Sequence, residues 1–459
     1  KCDPMPGNLT FEALKQAVSQ GEIDTVVAAQ VDMQGRLMGK RFQADYFVNS
    51  AYKETHCCNY LLATDLEMET VSGYQSTSWE SGYGDYTMKP DLSTLRLVPW
   101  LEKTAYVLCD VFDHHSPEEV PHSPRAILKK QVARLEAMGI KALMATELEF
   151  FLFEQSFETA QASGYRGLKT VAKYNEDYSV FQTTKEENVM RAIRNGLHGA
   201  GVEVECSKGE ASAGQEEINV KYSDALDMAD THAFIKNACK EIAWGQGQSL
   251  TFLAKWHNDS AGNSSHIHQS LWSMDGKTPL FRDASGEYGM SDLMRHYVAG
   301  LLHNASDVTW FLAPYVNSYK RFAEGTFAPT KAVWSRDNRT AGYRICGDDT
   351  NAIRVECRVG GSDLNPHLAM AALIAAGLDG IENKRELEAE FKGDAYNADV
   401  RSVPRTLRDA IGTLNGSKML RAAMGDTVID HYVRAASWEQ EEYDRRVTDW
   451  EVARGFERA

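Results

Sequence analysis

A chain of 459 residues can bury a large core and leaves room for two domains. Its formal net charge of -16 at pH 7 argues against a nucleic-acid or membrane-surface partner, because the phosphates of either would be repelled. A phosphorylated small substrate stays possible, since clustered arginines and a bound metal invert the local field.

The N-terminal KCDPMPGNLTF holds no apolar run and does not read as a secretory signal. Alternation over Thr25–Asp32 and Arg36–Phe42, about a turn at Met33–Gly35, predicts a β-hairpin. Short strands and loops follow up to Asp110, which predicts a small β-rich N-terminal domain; Thr70–Tyr86, rich in Gly, Ser and Tyr, reads as a long loop. Asp113–Pro121 reads as a linker. Ser123 then caps a helix with Pro124 in its first position and a buried stripe of Ile127, Leu128, Val132, Leu135 and Met138, ended by Gly139. The longest apolar stretch, Leu368–Leu378, is too short to cross a bilayer and predicts a buried helix. Charged helical sequence around Trp438–Arg454 closes the chain. The cysteines (Cys2, Cys57, Cys58, Cys109, Cys206, Cys239, Cys346 and Cys357) form no CxxC pair, and so long a chain needs no covalent staples. A reduced, cytoplasmic protein is expected, with Cys57 and Cys58 as half-buried thiols.

Four predicted strands are apolar on one face and carry Glu, His or Arg on the other, where period-2 spacing sets those groups side by side. Glu147 and Glu149 share a face in TELEFFLF. Glu217 lies opposite Ile218, Val220 and Tyr222, with Glu210 just upstream. His266, His268 and Ser270 line up on a third strand, and Arg354, Glu356 and Arg358 on a fourth. For any one strand a solvated antiparallel face is the default reading. Over the set it weakens, because a solvated face normally mixes Lys, Thr, Ser and Gln. Glu147 and Glu149 would repel each other without a cation between them. Carboxylates with an imidazole suit Mg²⁺ or Mn²⁺ better than Zn²⁺.

A run of guanidinium groups lies nearby: Arg321, Arg336, Arg339, Arg344, Arg354 and Arg358. Arginine forks bind carboxylate and phosphate at two points, although for Arg336 surface ion pairing is the better reading. Gly276-Lys277-Thr278 lacks the leading glycine of a phosphate loop and reads as a turn. Any phosphate is then held by metal and arginine.

These residues fall in motifs that resemble the glutamine synthetase family across almost the whole chain. They are GDYTMKPDLSTLRLVPW (84–100), TELEFFLF (146–153), EASAGQEEINVKY (210–222), KWHNDSAGNSSHIHQS (255–270), NSYKRFAEGTFAP (317–329), SRDNRTAGYR (335–344) and RVECRVGGSDLNP (354–366). The resemblance implies an α+β fold, with a β-grasp N-terminal domain (1–112) and a catalytic domain (113–459) whose curved antiparallel sheet forms a partial barrel. It implies a homododecamer of stacked rings with active sites shared between subunits. It also implies ATP and Mg²⁺ or Mn²⁺ as cofactors, and a reaction through γ-glutamyl phosphate in which metals and arginines neutralise the γ-phosphate. By the same resemblance, Glu149, Glu210 and Glu217 hold one metal, and Glu147, His266 and Glu356 the other. Glu205, Tyr222, His268, Ser270, Arg339, Arg344 and Arg354 bind ATP. Ala261, Gly262, Arg321 and Arg358 bind glutamate, with Arg321 and Arg339 acting in catalysis. A catalytically dead structural relative fits poorly, because every metal-ligand position holds Glu or His; a carboxylate-binding regulatory module fits poorly because the arginine set and the two-metal spacing are intact.

Departures from the family pattern bear on the amine. Phe327 stands where true glutamine synthetases carry a glutamate that helps take a proton from ammonium. A phenyl ring suits an alkylammonium instead. Asp177 and Tyr178 are expected as the other walls of this pocket, with Asp177 accepting the proton; a plain surface-loop aspartate is the competing reading. The nucleotide motif departs as well: Trp256 replaces a proline, Ser264 a small Gly or Ala, and Asn351 a basic nucleotide contact. The GTFAPTKAVWSRDNRTAGYR stretch most resembles the γ-glutamylmethylamide synthetases, so L-glutamate and methylamine are the expected substrates. The γ-glutamylpolyamine synthetases and ammonium-using glutamine synthetases are the alternatives.

Overall fold

The computed structural model describes residues 8–323 and 325–459; Cys2 and the N-terminal KCDPMPG lie outside them. Strands β1 (Thr25–Val31) and β2 (Leu37–Gln43) form the expected hairpin. With β3 (Thr55–Cys58), β4 (Asp85–Leu97) and β5 (Thr104–Asp113) they build a five-stranded sheet of order β2-β1-β5-β4-β3. The β1–β5 pair is parallel and its neighbours antiparallel, the mixed arrangement of a β-grasp unit. Period-2 alternation splits β1 and β5 between two cores. Val26, Ala28, Ala105 and Val107 enter a small cluster with Leu14 of the helix Phe11–Ser19. Ala29, Val31, Tyr106 and Leu108 face the other way, into the large core that runs on past residue 112.

The second sheet contains β6 (Ile140–Phe153), β7 (Val204–Gly209), β8 (Gln215–Val220), β9 (Ser223–Asp224), β10 (Ser249–Thr251), β11 (Ile267–Ser273), β12 (Trp334–Arg336), β13 (Tyr343–Cys346) and β14 (Arg354–Cys357). Its main path runs β12-β13-β14-β11-β6-β8-β7, with β9 and β10 also pairing to β6. The sheet is curved and nearly closed like a barrel. It is antiparallel as expected, except that β12 and β13 run parallel. The apolar stretch at Leu368–Leu378 is the centre of a buried helix, Pro366–Glu382, capped by the Asn365 side chain.

Ser123 does precede the helix Pro124–Glu136, but its side chain makes no capping hydrogen bond. Of the predicted stripe, Met138 is exposed: the helix has ended, and the following turn at Gly139 carries it outward. Arg336 pairs with Glu390 and Asp348, as a surface ion-pairing role requires. The Gly276 region is a plain turn. Cys57 and Cys58 are half-buried.

Candidate active site

Strand β6 is the spine of the site. Its pairing with β8 sets Glu149 directly opposite Glu217. Its pairing with β11, and that of β11 with β14, puts His268 beside Glu356, and β13 adds Arg344 on the far side of Glu356. Glutamates directly opposed on one sheet face repel each other. Here the repulsion is concentrated in two clusters.

In the first cluster, Glu149, Glu210 and Glu217 each bring a carboxylate oxygen within 4.8 Å of the others. Burial pushes the Glu149 carboxyl up to about 8, with Glu210 adding to the effect. Burial, then Glu147 and Glu149, push Glu217 up to about 12. Three crowded carboxylates that resist ionisation together fit a divalent cation with oxygen ligands. In the second cluster, the His266 imidazole lies 2.7 Å from Glu147 and 3.3 Å from Glu356, and His268 lies 2.9 Å from Glu147. Burial opposes ionisation of Glu147, yet His266 and His268 hold it well below the ordinary range. Glu356 is likewise held low, against its burial, by His266 and Arg358. Glu147, His268 and Glu356 also bring ligand atoms within 4.8 Å of one another. The expected ligand His266 and the expected nucleotide contact His268 therefore both face the same carboxylates, and both suit an ion there. The buried Nε2 of His266 has no hydrogen-bond partner among the described residues.

The nucleotide set splits. Glu205, Tyr222, His268, Ser270 and Arg354 line one cavity of about 600 Å³, together with Asn351. Tyr222 is half-exposed and follows the end of β8, so it does not share the buried face of Ile218 and Val220 as alternation suggested. Arg344 points instead at Glu356, 2.5 Å away. Arg339 is exposed in a turn and makes no side-chain hydrogen bond or ion pair among the described residues.

The glutamate set converges. Arg321 is fully buried and donates to the Ser264 hydroxyl (2.9 Å) and the Val359 carbonyl. The Ser264 backbone N–H donates to Glu149 at 2.6 Å, so the serine that departs from the family pattern joins the arginine to the first carboxylate cluster. Gly262 is required where it is: a Cβ there would lie 2.2 Å from Cγ of Arg321. The neighbouring Ala261 N–H donates to Ser212. Arg358 donates to Glu356 at 3.0 Å. Trp256 packs against Phe151 and Phe153.

The expected amine wall is altered by Lys208, which no strand periodicity connects to Asp177. The Lys208 ammonium sits 3.1 Å from Asp177 and 2.7 Å from Glu210, and 4.0 Å from the centroid of the Tyr178 ring. Asp177 is thus neither a lone surface carboxylate nor an unpaired base. Lys208 lies on β7 two residues before Glu210, which stands just past the end of that strand. What linked it to Asp177 was a loop crossing that no periodicity encodes. Phe327 makes no hydrogen bond, ion pair or ring contact to Asp177 or Tyr178 among the described residues, so the three are not joined into one wall in this chain. Tyr178 and Phe327 do share a strained backbone, each with φ of +57°, a conformation that costs a non-glycine residue about 1–2 kcal/mol.

Residues 121–455 match the family "Glutamine synthetase, catalytic domain". The chain is 47% identical to the γ-glutamylethanolamide synthetase GlnA4 of Streptomyces coelicolor, over 98% of this chain and 96% of that protein. It is 36% identical to a glutamate–isopropylamine ligase of a Pseudomonas species, over 96% of each chain. A solved structure described as "Apo GmaS without ligand" superposes with a TM-score of 0.84 at 25% identity, covering 97% of this chain and 99% of the other. On these matches and the site geometry, the chain belongs to the glutamine synthetase family.

Proposed function

We propose that the enzyme joins the side-chain carboxylate of L-glutamate to a small primary alkylamine, and that ethanolamine is used ahead of methylamine. The coarser activity, an ATP-dependent ligase forming γ-glutamyl amides, goes with the family and its relatives. The observation that carries the choice of amine is the Asp177–Lys208–Glu210 chain of charges set in a family site whose usual glutamate is replaced by Phe327. An apolar ring suits the alkyl carbons of the amine, and a charged pair offers hydrogen bonds to a hydroxyl. Ethanolamine has both parts. Methylamine, the amine expected from the sequence, is the second reading; it draws on Phe327 for the methyl group and Asp177 for the cation, and makes no use of Lys208. The 47% identity to an enzyme named for ethanolamide formation supports the first.

In this reading a carboxylate oxygen of glutamate attacks the γ-phosphorus of ATP and ADP leaves. The amine nitrogen then attacks the acyl carbon, phosphate leaves, and the surplus proton passes to Asp177. Bound divalent ions would supply charge neutralisation for the transferring phosphate; the carboxylates of the first cluster and the carboxylates and imidazoles of the second would hold them. Arg321 and Arg358 orient glutamate from rigid, buried positions. Arg339, exposed and without a side-chain partner among the described residues, is available to the phosphoryl group. We further propose a ring assembly, supported by the exposure of Tyr178, Phe327 and Arg339 in a single chain; light scattering that finds a fully active monomer would remove it.

The test is phosphate release with an amine panel of ammonium, methylamine, ethanolamine, isopropylamine and putrescine. Ethanolamine should exceed methylamine in kcat/KM by about tenfold or more, the size expected of one or two well-placed contacts. Methylamine ahead of ethanolamine restores the second reading. Putrescine or ammonium ahead of both overturns the proposal.

A further inference from the structure

Three glutamates outside the site described above lie close together on the back of the same sheet. Glu176, Glu186 and Glu216 each bring a carboxylate oxygen within 4.8 Å of the others. All three are buried, at 0%, 1% and 1% exposure. Five of their oxygens, both of Glu176, both of Glu186 and Oε2 of Glu216, have no hydrogen-bond partner among the described residues. None of the three forms an ion pair among those residues. Unpartnered buried carboxylates are costly, and proteins normally neutralise them by pairing or by a metal.

The backbone shows how they are brought together. Glu216 precedes Glu217 on β8 and therefore points to the opposite face. Its partner across the β7–β8 pair is Gly209. With no side chain there, the Glu176 carbonyl comes in close: a Cβ on Gly209 would lie 2.3 Å from it. The Tyr178 N–H then donates to the Gly209 carbonyl at 3.3 Å. Glu186 enters from the residue that precedes the helix Glu187–Gly199. Three separate elements thus aim carboxylates at one point. Burial pushes the Glu176 and Glu216 carboxyls up to about 10, with Glu186 adding to both.

We propose that Glu176, Glu186 and Glu216 bind a further divalent cation, one that takes oxygen ligands, on the face of β8 opposite the two catalytic clusters. All-carboxylate ligation selects a hard ion such as Mg²⁺, Mn²⁺ or Ca²⁺ over Zn²⁺. The ion fastens the 175–179 segment to β8. Asp177 and Tyr178 of that segment face Lys208 on the other side, so the cation is a positioning element for the amine wall, whichever amine is used.

The test is a count of Mn²⁺ per chain by equilibrium dialysis and metal analysis, in the wild type and in Glu176→Gln and Glu186→Gln. The wild type should bind one ion more than either variant, three against two. Mn²⁺ should also still raise the melting temperature of a Glu149→Ala Glu147→Ala double variant, whose catalytic clusters are broken. If saturated wild type holds two ions or fewer, the proposal fails whether or not the variants fold. Equal counts in wild type and folded variants overturn it as well, and leave a cluster of carboxyls that share protons.

Discussion

Glu149 and Glu217 stand directly opposite each other across the β6–β8 pair, and burial holds both carboxyls above the ordinary glutamate range. Two opposed carboxylates with Glu210 beside them make a site that is unfavourable empty and favourable with a cation in it.

Replacing Glu149 by alanine should therefore abolish γ-glutamyl transfer, by at least about a thousandfold in kcat, while the fold persists. Removing a buried, mutually repelling carboxylate relieves the metal-free protein even as it removes an ion ligand. Circular dichroism and turnover at millimolar Mg²⁺ check this together. Normal turnover in the variant contradicts the assignment.

The same carboxyls set a pH dependence. Above an unfolded value of 4.5, Glu149 and Glu217 ionise in the unfolded chain but keep their protons in the metal-free fold. The native state then binds more protons, so stability falls as the pH rises towards about 8, where Glu149 ionises. His266 acts in the same direction: its imidazole is raised from 6.5, against burial and Arg358, chiefly by Glu147. Its contribution is complete below 6.5 and is lost as the pH climbs through the raised value. In EDTA the melting temperature should fall between about pH 5.5 and 8, and Mg²⁺ or Mn²⁺ should reduce that fall, since metal binds the deprotonated ligands. A melting temperature in EDTA that rises across this range contradicts the assignment of these shifts.

Lys208→Met should raise the KM for the amine by about tenfold, equivalent to ~1.4 kcal/mol, with a smaller change in the KM for glutamate. The lysine neutralises Asp177 and Glu210 together; without it the Asp177–Tyr178 segment loses its side-chain tie to β7 and keeps only the backbone bond from Tyr178 to Gly209. Steady-state kinetics with each substrate varied in turn separates the two effects. Equal changes in both KM values would remove Lys208 from the amine side.

Much of this site was legible from period-2 spacing alone. Glu147 with Glu149 on β6 and Arg354 with Glu356 on β14 lie two apart on one strand; His266 stands one residue before β11 and Arg358 one residue after β14, and both still reach Glu356. The β1–β2 hairpin and the Pro366–Glu382 helix were legible for the same reason, since local periodicity and turn residues specify them. What periodicity does not encode is crossing between distant segments. Lys208 meets Asp177, and Glu216 meets Glu176 and Glu186, only because a loop folds over β7 where Gly209 leaves room. Met138 and Tyr222 were misplaced because each lies just past the end of its element, where the alternation no longer applies.

The choice of amine is tested most directly by competition. Wild-type enzyme is given glutamate, ATP and Mg²⁺ with equimolar ethanolamine, methylamine and ammonium, and the products are counted by mass spectrometry. With Phe327 in place of a carboxylate and Lys208 beside Asp177, γ-glutamylethanolamide should exceed γ-glutamylmethylamide and glutamine by about tenfold or more each. γ-Glutamylmethylamide as the main product would restore methylamine, and glutamine as the main product would contradict the proposed amine site and return the enzyme to ammonium.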